Sequence, residues 1–311
     1  MSILENALLL SALASAVRLT TPIGLAAIGA VISERSGVIN IGLEGMMLSG
    51  AFAAVVGSHY LGGPWMGLLA AMVAGGVVAL LLAYPSVTLG AAQIVVGVAI
   101  NLAAFGLTTF LDRTLLRPAG IERVAAFHPV PIPYLSELPL VGPVLFMQNP
   151  LVYLMLLLAP ALTVFVFRTP WGLALRAVGE NPRAADTAGI NVTLVRYLAV
   201  ATSGIFAGMA GAFLSLGHLD LFTENMTAGR GFIALAAVIF GKWHPLGALA
   251  AAFVFGAADA FQLLVQTYNL GFPYQFPLML PYVLALLALA GVVGRSAAPA
   301  AAGQPYPAEE A

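Results

Sequence analysis

Long, unbroken apolar runs separated by short polar breaks make up most of this chain. The runs do not alternate apolar with polar, as the wall of a membrane barrel does. They have the length and continuity of helices. Leu4 to Leu19 is helical in pattern, with Ser11, Ser15 and Arg18 at i, i+4 and i+7 on one polar stripe. That stripe suits an interfacial helix or a span with one wet face. Pro22 to Ile32 is apolar but well short of the roughly 20 residues a span needs. It breaks at Ser33-Glu34-Arg35-Ser36-Gly37. Spans are then predicted from about Ile41 to Tyr60, Trp65 to Tyr84, Gln93 to Leu111, Pro150 to Phe167, Tyr197 to Leu216, Leu246 to Val265 and Leu278 to Val293. A second short apolar piece, Gly231 to Phe240, breaks at Gly241-Lys242-Trp243-His244-Pro245.

The pattern predicts an all-α polytopic membrane protein with roughly 8–10 membrane segments. Two of its helices are interrupted. Ile23 to Ile32 and Ile233 to Phe240 resemble each other, and each is followed by a polar break and a Gly-rich full helix. Short, interrupted segments at matching places in two halves point to an internal two-fold repeat around a transport pathway. The competing reading is that low-complexity apolar sequence resembles itself. Residues 1–294 form one transmembrane domain on this reading, and the Ala- and Pro-rich stretch 295–311 is expected to be a disordered tail.

Composition agrees with the pattern. Of 311 residues, 61% are hydrophobic and 8% charged, and the mean hydropathy is +0.98. A soluble domain carries about 25% charged residues, so lipid must solvate most of this chain. The net charge of −1 gives no reason to expect a nucleic-acid polymer as partner. With no cysteine there is no disulfide, thiol chemistry or cysteine-ligated metal. His59, His128, His218 and His244 are scattered, without metal-ligand spacing. Lys242 is the only lysine, and Gly241-Lys242-Trp243 does not complete a phosphate-binding loop. No cofactor or catalytic residue is expected.

The segment 168–196 carries the clearest local signals. Thr169-Pro170 and Asn181-Pro182 each read as a helix N-cap followed by proline at the first helical position. The first short helix is expected to break at Gly179, and Gly189 is placed to end the second. Two capped short helices with small alanines and exposed arginines suit a docking element for a cytoplasmic protein; an ordered loop is the alternative. The segment holds Arg168, Arg176, Arg183 and Arg196, against Arg113, Arg117 and Arg123 in 112–149. The arginine bias places 168–196 in the cytoplasm and 112–149 outside.

Three stretches together resemble the permease subunits of bacterial ABC importers. The first is Glu34-Arg35-Ser36-Gly37-Val38-Ile39-Asn40-Ile41-Gly42-Leu43-Glu44-Gly45. The second is Leu175-Arg176-Ala177-Val178-Gly179-Glu180-Asn181-Pro182-Arg183-Ala184-Ala185 with Gly189-Ile190. The third is Gly231 to Ala236 with Phe240-Gly241-Lys242-Trp243 and Pro245-Leu246-Gly247. The resemblance covers about residues 5–294 of the family that handles branched-chain amino acids, simple sugars and nucleosides, and is closest to the nucleoside and simple-sugar branch. It implies half of a translocation pathway in the bacterial inner membrane. It also implies a second permease, identical or different, a separate ABC ATPase that binds ATP and magnesium, and an extracytoplasmic solute-binding protein or lipoprotein. Arg176, Gly179, Glu180, Asn181, Pro182, Arg183, Ala184, Ala185 and Gly189 would couple to the ATPase. Sugar permeases of the group typically carry a Gly-Gly-Ile-Asp-Leu-Ser-type break where this chain has Ser36-Gly37-Val38-Ile39-Asn40-Ile41, which favours a nucleoside. A branched-chain amino acid permease and a stand-alone ion-coupled transporter are the alternatives.

Charged and polar residues inside spans are costly and mark function more often than not. Candidate pathway residues are Glu34 and Arg35, read as neutralising each other, and Asn40 and Glu44, four apart on one helix face. Glu44 also fits an ordinary helix cap. Gln93, Asn101 and Thr108 fall with Gly97 on one face, lining a pathway or bonding neighbouring helices. Asp259 makes a similar stripe with Gln262 and Gln266. Gly204, Gly208, Gly211 and Ser215 read as a seam for close helix packing.

Overall fold

The computed structural model describes residues 3–121, 123–139, 141–267, 279, 283 and 297–306. Helix α1 (Ile3–Arg35) is followed by α2 (Leu43–Tyr60), α3 (Pro64–Ala83) and α4 (Gln93–Leu111). Wider π-helical turns extend α3 to Thr88 and α4 to Leu116. The stretch 117–149 holds a two-residue-per-strand hairpin, β1 (Val130–Pro131) against β2 (Met147–Gln148), and the single-turn α5 (Val141–Leu145). Then come α6 (Pro150–Arg168), the short α7 (Pro170–Glu180) and α8 (Pro182–Thr187), and α9 (Val192–Ala212), extended to Leu219. The short α10 (Arg230–Phe240) and long α11 (Pro245–Thr267) complete the described helices.

Six described helices are long and apolar enough to cross a membrane. The all-α polytopic class holds. The separation expected between Leu4–Leu19 and the short piece Pro22–Ile32 does not: α1 runs through Pro22 without interruption. A proline inside a membrane helix is tolerated where neighbouring helices and hydroxyls compensate its lost N–H. Here α9, α10 and α11 surround the helix, and Thr20 and Thr21 back-bond to the carbonyls of Ala16 and Val17, beside the Arg18 carbonyl that Pro22 leaves without its usual donor. Ile23, Leu25, Ile28 and Val31 are fully buried on all faces of α1. The short apolar stretch 22–32 is therefore the core half of one long helix. Only α10 is the half-length helix expected of both, so the structure resembles a repeat in its breaks rather than in its first helices. The span expected over 278–293 lies outside the described residues, Met279 and Val283 excepted.

The glycine stripe packs as its spacing predicts. A side chain at Gly208 would enter the backbone of Ala71, one at Gly211 that of Met47, and one at Gly204 that of Gly75. α9 thus lies against α2 and α3 backbone to backbone, an approach that small residues permit in lipid.

At one end of the bundle, residues 117–149 fold over the helix ends. Val124 and Phe127 donate backbone N–H to Asp220 and Leu216, and the Asn149 side chain donates to Phe127. Arg113 and Arg117 converge on Glu224, and Arg117 also reaches Asp112 at 2.8 Å. Beside those guanidinium groups the Glu224 carboxyl is held below its ordinary range. The opposite end gathers the break after α1, α7, α8, residues 241–244 and residues 297–306. This last stretch is not the contact-free tail its composition suggests. Its backbone N–H groups at Ala301 and Gly303 donate to the carbonyls of Gly179 and Gly37.

Candidate translocation and coupling sites

The two polar breaks, separated by some two hundred positions in sequence, meet in space. α1 ends in Glu34 and Arg35, and the chain turns at Ser36-Gly37, with Gly37 at φ +88°. Lys242 and Trp243 in the second break adopt left-handed backbone conformations, φ 55° and 52°. The Trp243 indole N–H donates to the buried Glu34 carboxylate, and Arg35 Nε donates to the Trp243 carbonyl at 2.8 Å. Among the described residues Glu34 and Arg35 form no ion pair with each other; each instead holds the second break. The Phe167 ring at the end of α6 completes this junction. It stacks on His244 at 4.8 Å and lies under the guanidinium groups of Arg35 and Arg176, at 5.4 and 5.3 Å. Partial burial and the neighbouring Arg35 charge hold the His244 imidazole below its ordinary pKa.

Past the first break the chain re-enters the bundle. Asn40 is fully buried and donates to Ser203 Oγ of α9 at 2.9 Å. Gln93 accepts from Ile39 N–H at 2.8 Å. Asn101 accepts from Gly45 N–H and donates to the Ile41 carbonyl, at 2.8 and 2.9 Å. An irregular backbone at membrane depth needs its polar groups satisfied by protein. Gln93 and Asn101 do this for the segment between α1 and α2, so their stripe faces that backbone. Thr108 bonds its own helix, at the Ala104 carbonyl.

Glu44 has a different partner from its own helix. Its two carboxylate oxygens accept from Gly229 and Gly231 N–H, both at 2.7 Å, at the start of α10. α10 has 11 residues, about 16 Å, roughly half the hydrocarbon thickness. Since α10 ends at the Arg35 junction, it begins in mid-bundle. Its unpaired N–H groups and positive dipole end would be exposed there. Glu44 supplies both the acceptors and the charge.

Next to this half-helix start lies a polar patch that the sequence reading largely missed. Arg230, the first residue of α10, is half-buried and lies within electrostatic reach of Asp259 on α11 and His218. Arg18 of α1 is also within reach of His218 and donates to Ser15. Asp259 is half-buried, and Arg18 and His218 are exposed. Charged groups at this depth require water or a protein partner rather than acyl chains. Arg18 and Asp259 were visible as charges within apolar runs; Arg230 sat at a run's edge, where depth is not legible.

The 168–191 segment folds from its caps as expected. Thr169 Oγ1 accepts from Gly172 N–H, and Asn181 accepts from Ala184 N–H. α7 runs one residue past Gly179, to Glu180, and Gly189 leaves α8 at φ +82°. Gly179 is buried against the Arg35 carbonyl, where a side chain has no room. Leu175, Val178 and Ala185 are buried too, anchoring the two helices. Glu180, Asn181, Arg183, Ala184 and Gly189 are exposed, whereas Arg176 and Pro182 are half-covered. The exposed set forms one water-facing tip at the end of the bundle that also holds the break junction.

A family model for the permease component of the branched-chain amino acid transport system matches residues 12–293. The chain belongs to this permease family. It is 44% identical to the guanosine ABC transporter permease protein NupQ of Bacillus subtilis, over 92% of each chain. It is 37% identical to the nucleoside ABC transporter permease protein NupC of Lactococcus lactis, over 92% of this permease and 93% of NupC. It is also 40% identical to the putative glucose ABC transporter permease protein TsgC13 of Haloferax volcanii, over 84% and 80%. The permease is thus a multi-pass membrane protein of the ABC transporter class.

Proposed function

We propose that this permease carries a nucleoside inward across the bacterial inner membrane as half of an ABC importer. A second permease would complete the pathway, a separate ATPase would bind ATP and magnesium, and an extracytoplasmic binding protein would deliver the solute. The observation that carries the reading is the tip of α7 and α8. It is pre-ordered by two side-chain caps, anchored through Gly179 to the end of α1, and exposed at Glu180, Asn181, Arg183, Ala184 and Gly189, with Trp171 and Leu173 exposed at the other end of α7. Such a surface fits a separate driving subunit and has no use in a stand-alone transporter. Relatives named for guanosine and nucleosides support the solute class, alongside the Asn40 to Gly45 sequence.

The sidedness follows from charge. Arg35, Arg168, Arg176, Arg183, Arg196 and Lys242 lie at the tip's end, against Arg113, Arg117 and Arg123 at the other. The bias is stronger than the loops alone suggest, because the fold brings Arg35 and Lys242 to the tip's end. That end is cytoplasmic. The pathway would run past the Arg18, Arg230 and Asp259 patch and the Glu44-capped start of α10.

The test is reconstitution. The permease should copurify with an ATPase and support ATP-driven uptake of labelled guanosine, competed by other nucleosides. Arg183→Glu should abolish that uptake at normal expression. Uptake by proteoliposomes holding this chain alone would overturn the proposal, and competition by leucine but not by nucleosides would move it to the branched-chain amino acid reading.

A further inference from the structure

Asp259 is a half-buried carboxylate within a span and has no protein partner. It stands about four turns into α11 from Pro245, roughly 21 Å along the axis. Gly256 lies against the Thr20 backbone, and Ala260 packs with Ala16 and Leu19. Those contacts fix Asp259 at the depth of Arg18 on α1. Among the described residues Asp259 accepts no hydrogen bond and forms no ion pair. Arg230 is near enough to feel its charge, yet the two do not pair. Arg230 Nη1 donates to the Met226 and Thr227 carbonyls, both at 3.3 Å, and its Nε is buried without a partner among the described residues. Opposite charges at this depth that do not close on each other leave a gap that only polar matter can fill.

The charges around the gap set what fits it. Arg18 and Arg230 are matched by Asp259 and by Glu44, whose oxygens hold Gly229 and Gly231 on either side of Arg230. Asp220 lies within reach of His218 beyond them. No cation is in surplus, so nothing in the patch selects a phosphate or another anion. A neutral ligand must bring donors to Asp259, an acceptor-only group, and acceptors to Arg230, a donor-only group. A hydroxyl does both. Two adjacent hydroxyls can donate to the carboxylate and accept from the guanidinium with the same atoms. A nucleoside carries one such pair, the 2′ and 3′ hydroxyls of its ribose, whatever its base; carboxylates hold ribose hydroxyls in the same way in dinucleotide-binding folds. Among the common bases only guanine turns two adjacent N–H donors to a carboxylate.

We infer that Asp259 and Arg230 bind the ribose of the transported nucleoside, Asp259 accepting from the 2′ and 3′ hydroxyls and Arg230 donating to their oxygens. The inference rests on the reading of this chain as a subunit of a nucleoside importer and adds the pair that sets its specificity. On this account the permease selects by the sugar and tolerates different bases.

The chain has no cysteine, so Gln262→Cys, half-buried and one turn along α11 from Asp259, reports on the patch. In the purified full-length permease, millimolar uridine and guanosine should each slow its modification by a charged methanethiosulfonate severalfold. Their 2′,3′-dideoxy analogues should need about tenfold more for the same protection, the loss expected when hydrogen bonds to charged groups go unmade. Adding Asp259→Asn should raise the uridine requirement about tenfold and erase the difference between uridine and its dideoxy analogue. Tyr134→Cys, 87% exposed, should label at one rate with or without nucleoside. The comparison of ribose with dideoxyribose needs no change at Asp259, so it decides even where that variant folds poorly. While the assembled importer still takes up guanosine with ATP, three results overturn the ribose pair alone: no protection by any nucleoside, equal protection by the dideoxy analogues, or an undiminished preference for ribose in Asp259→Asn. Protection by guanosine but not by uridine would move the contact to the guanine edge, and the ribose assignment would fail. An assembled importer that carries no nucleoside overturns the nucleoside reading and the pair with it.

Discussion

Glu44→Gln tests the central claim about the broken helix. The carboxylate accepts two backbone N–H groups, from Gly229 and Gly231, each at 2.7 Å. Glutamine keeps the size but offers one oxygen and one NH2, so one of these N–H groups faces a donor. Leaving it unpaired in a half-buried site costs about 1–3 kcal/mol. The remaining bond falls from a charge-assisted to a neutral one, about 1 kcal/mol. Loss of the charge at the α10 dipole end adds roughly 0.3–1 kcal/mol. The expected total is about 3 kcal/mol, which should lower the unfolding midpoint by roughly 5 °C or more in a protein of this size. The assay is thermal unfolding of purified permease in detergent, followed by tryptophan fluorescence, because Trp243 lies just past the far end of α10. Gly231→Ala should lower the midpoint as well, since its methyl group would meet Glu44 backbone at 2.5 Å. A midpoint for Glu44→Gln within about 1 °C of wild type would refute the capping argument.

Asn101→Leu should reduce folded yield by leaving Gly45 N–H and the Ile41 carbonyl unpaired, a loss of about 2–4 kcal/mol; normal yield with lost uptake would return Asn101 to the pathway wall. Asp259→Asn should keep the wild-type unfolding midpoint, yet reduce nucleoside uptake severalfold in the assembled importer; full uptake would place the Arg230 patch against lipid or a partner. His244 gives a pH signature. Its folded pKa lies below the ordinary 6.5, so the unfolded chain binds the proton more readily. Stability from this group is therefore present above pH 6.5 and falls as pH drops from there towards the folded value. His244→Phe should keep the stacking on Phe167 and flatten that slope in unfolding midpoints measured across mildly acidic pH; an unaltered slope would assign it to another group.

The membrane class, the helix positions and the two capped helices of the tip were legible in the sequence because each follows from short-range physics. A bilayer sets the length of an apolar run, and a cap needs one side chain and the backbone three residues on. Thr169, Asn181 and Gly189 act where their local chemistry predicts. What only the tertiary structure decided are pairings across the chain. The apolar pieces on either side of Pro22 looked separate because local rules penalise proline inside a helix; the surrounding helices carry α1 through. Glu34 and Arg35, neighbours in sequence, turn to Trp243 rather than to each other, because burial rewards satisfying the second break. Gln93 and Asn101 share a helical face under either role, and only contact shows that the face meets irregular backbone. Glu44 was recognisable as a capping carboxylate, but the helix it caps begins 185 residues away. The 297–306 stretch shows the same limit from the other side. Its composition promises no core of its own, yet carbonyls and N–H groups left open at Gly37, Gly179 and Arg196 give it a place.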